Sequence, residues 1–268
     1  MASTHVRAMV TKALCVGLLV ASFAFAQACA ADENLQAGAS DQSSSQKAVS
    51  PAAPTGRQYL ISRGPRRADF LREPVSQNAQ HLADWVVDSG DNHGLPFAIV
   101  DKVDAKVFVF GKDGQLGGAT PALVGLTRGD DTVPGISGRK LSSIRPSERI
   151  TPAGRFVTAL DFNSGGQQIL WVDYDAGIAL HPVVTTNPKE NRLQRLATPT
   201  PLDNRISYGC INVAAKFFQS AVRPAFTGTN GIVYILPEVH SIREVFSTYY
   251  SAEGHSRPQI VSLPTPAP

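Results

Sequence analysis

Cysteine is almost missing from this chain. Three occur in 268 residues, at positions 15, 29 and 210. Such a count excludes a disulfide scaffold, and no Cys/His pair stands at metal-ligand spacing, so no metal and no cofactor are expected. No stripe of Lys and Arg is concentrated anywhere, which argues against a nucleic-acid partner. Nor is there a run of about 20 apolar residues that would span a bilayer. There is no internal repeat, and charge of neither sign dominates, with 25 basic against 22 acidic residues.

The longest apolar run covers residues 13–26 (ALCVGLLVASFAFA), behind Arg7 and Lys12 and ahead of small residues at Ala26, Ala28 and Ala30. That order reads as a signal peptide over 1–30, and the run is too short for a comfortable membrane anchor. Cleavage before a lipidated Cys29 is disfavoured by Ala26, which is not a large aliphatic. The mature chain is then exported, periplasmic or associated with the cell wall, with no transmembrane segment. Without residues 1–30 it carries 23 basic against 22 acidic residues, so its basic pI says nothing about a nucleic-acid ligand. It also keeps one thiol in its folded part, Cys210. A lone thiol in an oxidising compartment is core filler, an intermolecular bridge or a reactive group.

Residues 31–56 are rich in Ala, Ser, Gln and Pro, with Leu35 as their one large aliphatic; they read as a tether. Phe70, Leu71, Val75, Leu82, Trp85 and Val86 fall at roughly helical spacing, so 57–94 reads as a helical segment. The main domain is expected over 95–237. Apolar, β-branched or aromatic runs at 97–100, 106–110, 156–160, 169–173, 178–181 and 233–236 predict strands. Short turn-like connections make the sheet mainly antiparallel. A C-terminal helix and an unstructured tail are expected over 238–268.

Chemistry concentrates in Ser207-Tyr208-Gly209-Cys210-Ile211-Asn212-Val213. Apolar residues at 213, 217, 218 and 221 predict an amphipathic helix directly after it, with Asn212 as N-cap. Cys210 would then lie just ahead of a helix N-terminus, where the dipole favours a thiolate and free amides favour an oxyanion. The expected base is His181, at the end of the strand over 178–181. His81, His93, His240 and His255 fall in poorer places.

Thr151-Pro152-Ala153-Gly154-Arg155-Phe156, then a strand histidine, then Ser-Tyr-Gly-Cys-Ile-Asn together resemble the L,D-transpeptidase (YkuD-type) catalytic domain. The resemblance covers roughly residues 95–237. It implies a mainly β fold with some α, a sandwich or mixed sheet with a short helix after the nucleophile. It also implies a cysteine acyltransferase acting on peptidoglycan stem peptides. Cys210 matches the nucleophile and His181 the base, while Gly209 and Cys210 would supply oxyanion donors. Ser207, Tyr208, Arg205 and Asn212 are the candidate substrate contacts. Helix capping explains Asn212 equally well, and an exposed surface charge explains Arg205. Thr151–Phe156 is expected to shape a turn. Two departures stand out: Tyr208 replaces the histidine usual before the Gly-Cys pair, and the interval 182–206 is longer than the family norm. That interval reads as a loop, a candidate lid.

Overall fold

A computed structural model describes residues 58–262 of the chain. The expected signal peptide and tether lie outside these residues.

In chain order the elements begin with β1 (Gln58–Arg63), α1 (Gln77–Ser89), β2 (Phe97–Asp101), β3 (Lys106–Phe110) and β4 (Leu116–Gly125). Three single 3₁₀ turns between 136 and 148 lead to β5 (Gly154–Phe162), β6 (Gln168–Asp173) and β7 (Ile178–Pro182). Then come a 3₁₀ turn at Pro188–Glu190, α2 (Arg192–Ala197), β8 (Arg205–Ser207) and β9 (Ile211–Val213). A helical stretch follows as α3 (Ala215–Phe217), a π-turn at Phe218–Val222 and α4 (Arg223–Phe226). It precedes β10 (Gly231–Ile235), α5 (Ile242–Val245) and β11 (Arg257–Ser262).

The chain is mainly β with a few helices. Nine strands pair in the order β3-β2-β10-β5-β6-β7-β9-β4-β8, and β3 also pairs with β4. That extra pairing turns the sheet into a ring. Long β4 makes it possible: residues 116–121 pair with β3, whereas Ala122 and Leu123 pair with β9. Closure of this kind removes the edges of the ring strands and leaves three-residue β8 as an edge, paired with β4 alone. Most neighbours run antiparallel, as expected; β10–β2, β4–β8 and β7–β9 run parallel.

The continuous apolar runs of β2, β3 and β10 arise because both of their faces are buried. Ala98, Val100, Val107, Val109, Val233 and Ile235 fill the ring's interior. Their alternates Phe97, Ile99, Phe108, Phe110, Ile232 and Tyr234 form a second core. Side chains alternate between faces along a strand, so each run feeds both cores. Helix α1 covers the second core with Ala79, Leu82, Ala83, Trp85 and Val86. Ser76 caps its start by accepting from the Ala79 amide, and Gly90 ends it in the left-handed region at φ 73°.

Two expectations are corrected. The segment 57–94 is not helical throughout, since β1 precedes α1, and α1 shares a core with the strands after residue 95. The tail is not unstructured up to Ser262, because β11 pairs antiparallel with β1 from Gln58↔Ser262 to Arg63↔Arg257. Among the described residues, no helix is long and apolar enough to cross a membrane.

Candidate active site

Strands β7 and β9 lie side by side in parallel, with Leu180 opposite Ile211 and His181 opposite Asn212. Leu180 and Ile211 point into the interior core. Alternation therefore turns His181, Asn212 and Cys210 to the opposite face, although His181 and Cys210 are 29 positions apart. The expected nucleophile and base thus share one surface of the ring, Cys210 lying two positions before the partner of His181.

The imidazole is oriented from both sides. Its Nδ1 lies 2.8 Å from the carbonyl oxygen of Pro182. A carbonyl only accepts, so Nδ1 carries the proton and the unprotonated Nε2 faces the site. There Asn212 Nδ2 donates to it at 3.4 Å and also reaches the Cys210 carbonyl at 3.3 Å. Burial lowers the pKa of His181, the Pro182 contact opposes that, and the nearby Arg192 charge lowers it further.

Cys210 is partly exposed, and its thiol donates to the Gly177 carbonyl at 3.6 Å. Burial raises its pKa, which the Ala179 amide and the Arg192 charge partly offset. Both shifts favour the neutral forms, thiol and imidazole. Acid–base transfer between them would have to accompany attack.

Cys210 opens into a pocket of about 130 Å³. Ile136, Leu141, Ile144, Ile150 and Tyr208 line it, mostly from the segment between β4 and β5. Buried Glu148 staples that segment. It binds Arg139 at 3.0 and 3.2 Å, the Arg145 amide at 2.8 Å and the Arg145 guanidinium at 3.0 Å. The Arg149 guanidinium lies 3.9 Å from the centre of the Tyr208 ring, a cation–π contact that holds the ring at the pocket wall.

Gly209 adopts φ +131°, and a Cβ there would lie 2.7 Å from the Ile150 oxygen and 2.8 Å from Ile178 Cδ1. Glycine is therefore required. Ser207 is buried and its hydroxyl accepts from the Gly209 amide at 3.1 Å; it shapes the turn before Cys210.

Two expectations about these residues are overturned. Asn212 caps no helix: it lies within β9, and the helical stretch begins at Ala215 after Ala214, which offers no side-chain cap. Cys210 therefore precedes a strand and gains nothing from a helix dipole. Arg205 is neither a free substrate ligand nor a bare surface charge. Its guanidinium binds the buried Glu238 carboxylate and the Lys102 carbonyl, the latter at 3.0 Å. Glu238 also lies 3.8 Å from the fully buried Lys102, which pairs with Asp130 at 2.6 Å and donates to the Thr151 carbonyl at 2.9 Å. This ionic cluster supports the chain that carries Gly209.

The interval 182–206 is more than a loop, since it holds a 3₁₀ turn, α2 and most of β8. It delivers Arg192, which the motif reading passed over. Nothing in a stretch that also contains Lys189 and Arg195 marks that one cation. Gly177, Ala179 and Pro182, which act through backbone groups, leave no side-chain signature at all.

No family model and no curated protein matches this sequence. Among solved structures it is similar to the helical cell shape determining protein Pgp2 from Campylobacter jejuni. The two share 16% identity over 55% of this chain and 49% of that one, with a TM-score of 0.36. An L,D-transpeptidase from Xylanimonas cellulosilytica is similar at 12% identity over 53% and 60%, TM-score 0.33. Another from Mycobacterium smegmatis is similar at 13% over 53% and 58%, TM-score 0.30. The chain spans about half to three-fifths of the length of these proteins. Likeness this distant carries no statement about what this chain does.

Proposed function

We propose that this chain is an exported cysteine acyltransferase of the L,D-transpeptidase type. Cys210 attacks a peptide carbonyl of a peptidoglycan stem, next to a terminal D-alanine. His181 Nε2 takes the thiol proton and passes it to the departing D-alanine amine, leaving a thioester on Cys210. The amine of a second stem then attacks the thioester, His181 Nε2 takes one of its protons and returns it to the departing sulfur, and the thiol is restored. The observation that carries the reading is the parallel register of β7 and β9, which puts Cys210, a lining residue of the pocket, on the same face as the unprotonated Nε2 of His181. The stem peptide comes from the motif resemblance.

One observation favours a second reading, a wall-binding module without catalysis: the thiol is turned to Gly177 and its pKa is raised by burial. Incubation with a carbapenem, followed by mass mapping of the labelled peptide, separates the two. Stoichiometric adduct on Cys210, lost in Cys210→Ala and slowed in His181→Ala, supports the acyltransferase; an unlabelled wild type would sink it. Muropeptide masses then distinguish transfer to an amine, which gives dimers, from transfer to water, which gives trimmed monomers.

A further inference from the structure

We infer that Arg192 is a positioning residue of this site, acting through Asn212 to keep the Nε2 atom of His181 free of a proton. The inference rests on the reading of His181 as the base.

The guanidinium comes from the start of α2, far from the motif in sequence. Its side chain is only 12% exposed, and its Nε donates to Glu190 Oε2 at 2.5 Å. Its Nη1 donates to Asn212 Oδ1 at 2.7 Å. A guanidinium has donors and no acceptor, so the atom of Asn212 that faces it must be the oxygen. The amide nitrogen is thereby turned toward His181 Nε2, at 3.4 Å, and the Cys210 carbonyl, at 3.3 Å. The Cys210 carbonyl favours the same orientation.

A donor facing Nε2 requires a lone pair there, which is the state a general base needs. With the amide reversed, an oxygen would face Nε2 and stabilise an added proton, giving the imidazolium. Arg192 opposes that state twice, through the amide and through its own positive charge, which also favours a Cys210 thiolate.

Other titratable groups lie on the elements packed beside the imidazole. The residue just before β9 brings the Cys210 thiol, and the segment before α2 brings Glu190, already paired to Arg192. Strand β6 brings Asp173, opposite Ile178 at the far end of the ladder, where its carboxylate accepts from the Ala176 amide.

The test is ¹⁵N-histidine NMR titration of the full chain, with iodoacetamide alkylation of Cys210 followed by peptide mass mapping. In Arg192→Ala the titration midpoint of His181 is expected to move up, and alkylation at neutral pH to slow about fivefold, the size of one partly screened charge near the sulfur. Arg192→Lys, which restores a cation and a donor, is expected to bring both back toward wild type. Asn212→Asp, which puts an acceptor against Nε2, is expected to raise the midpoint further. Unchanged titration and alkylation in Arg192→Ala would overturn the inference, as would Lys behaving like Ala, or no upward movement in Asn212→Asp. None of these readouts involves acyl transfer. A wild type that resists carbapenem while this series behaves as stated would therefore count against the proposed activity and leave the role of Arg192 standing.

Discussion

The hydroxyl of Thr151 donates to the Gly209 carbonyl at 2.7 Å while accepting from the Gly125 amide at 2.8 Å. One buried oxygen thus joins β4 to the turn that presents Cys210. Because the Gly209–Cys210 peptide is planar and trans, fixing its carbonyl also fixes the direction of the Cys210 N–H. Thr151 does more than shape a turn: it sets the peptide plane beside the Cys210 sulfur.

Thr151→Val keeps the shape and removes both hydrogen bonds, leaving a buried amide and a buried carbonyl unpaired. A loss of about 3 kcal/mol in unfolding free energy is expected, together with slower acylation of Cys210. Thr151→Ser is expected to recover most of both. Urea unfolding and carbapenem labelling rates measure the two effects separately.

Gly209→Ala meets backbone as well as side chain, since the Ile150 oxygen would sit 2.7 Å from the new carbon and the φ of +131° disfavours any L residue. Either the turn moves or the fold weakens, at a cost of about 2 kcal/mol or more. Acylation is expected to fall far below that of wild type even where circular dichroism shows a folded chain. An alanine variant that labels at the wild-type rate would refute this.

The pH dependence of acylation follows from the two shifts. Burial lowers the pKa of His181, so the base is expected to stay unprotonated to a pH below the ordinary imidazole value of about 6.5. Burial raises the pKa of Cys210, so simple alkylation is expected to keep accelerating above the ordinary thiol range of about 8.5. Carbapenem labelling read against pH should place its acid limb low, and iodoacetamide labelling its plateau high.

Asp130 underlies a stability prediction. Its own burial opposes ionisation, but Lys102 and the amides of His240, Glu238 and Val239 outweigh that and hold its pKa at about 2. A depressed carboxylate contributes stability above its unfolded pKa of about 3.9 and loses it as pH falls through the folded value. Stability is therefore expected to decline by about 2 kcal/mol between roughly pH 4 and pH 2 on this account. In Asp130→Asn that part of the acid dependence should vanish. At neutral pH the variant should be weaker by about 3 kcal/mol, because Lys102 is left with less compensation in the core. Urea midpoints across the pH range test both statements.

Much of this was legible in the sequence because it rests on local pattern. Runs such as Val107 to Phe110 mark a strand whatever surrounds them, and a lone thiol after glycine marks Cys210. What was missed depends on distance. The apolar spacing after Asn212 fits a helix as well as a short strand followed by one, and only the pairing of β9 with β7 and β4 decides for the strand. Arg205 carries no sign in the sequence that Glu238, 33 positions later, will claim it. The closing strand β11 exists because residues at the opposite end of the described chain pair with it.

The parallel pairing of β7 and β9 has one more consequence. Parallel neighbours need a crossover to connect them, and here that crossover is the interval between His181 and Cys210. Its length is a free variable: residues added to it lengthen the excursion and leave the rungs of the ladder untouched. The same excursion comes back against β9, where a side chain it carries can reach Asn212 without disturbing His181 or Cys210. Arg192 is such a side chain.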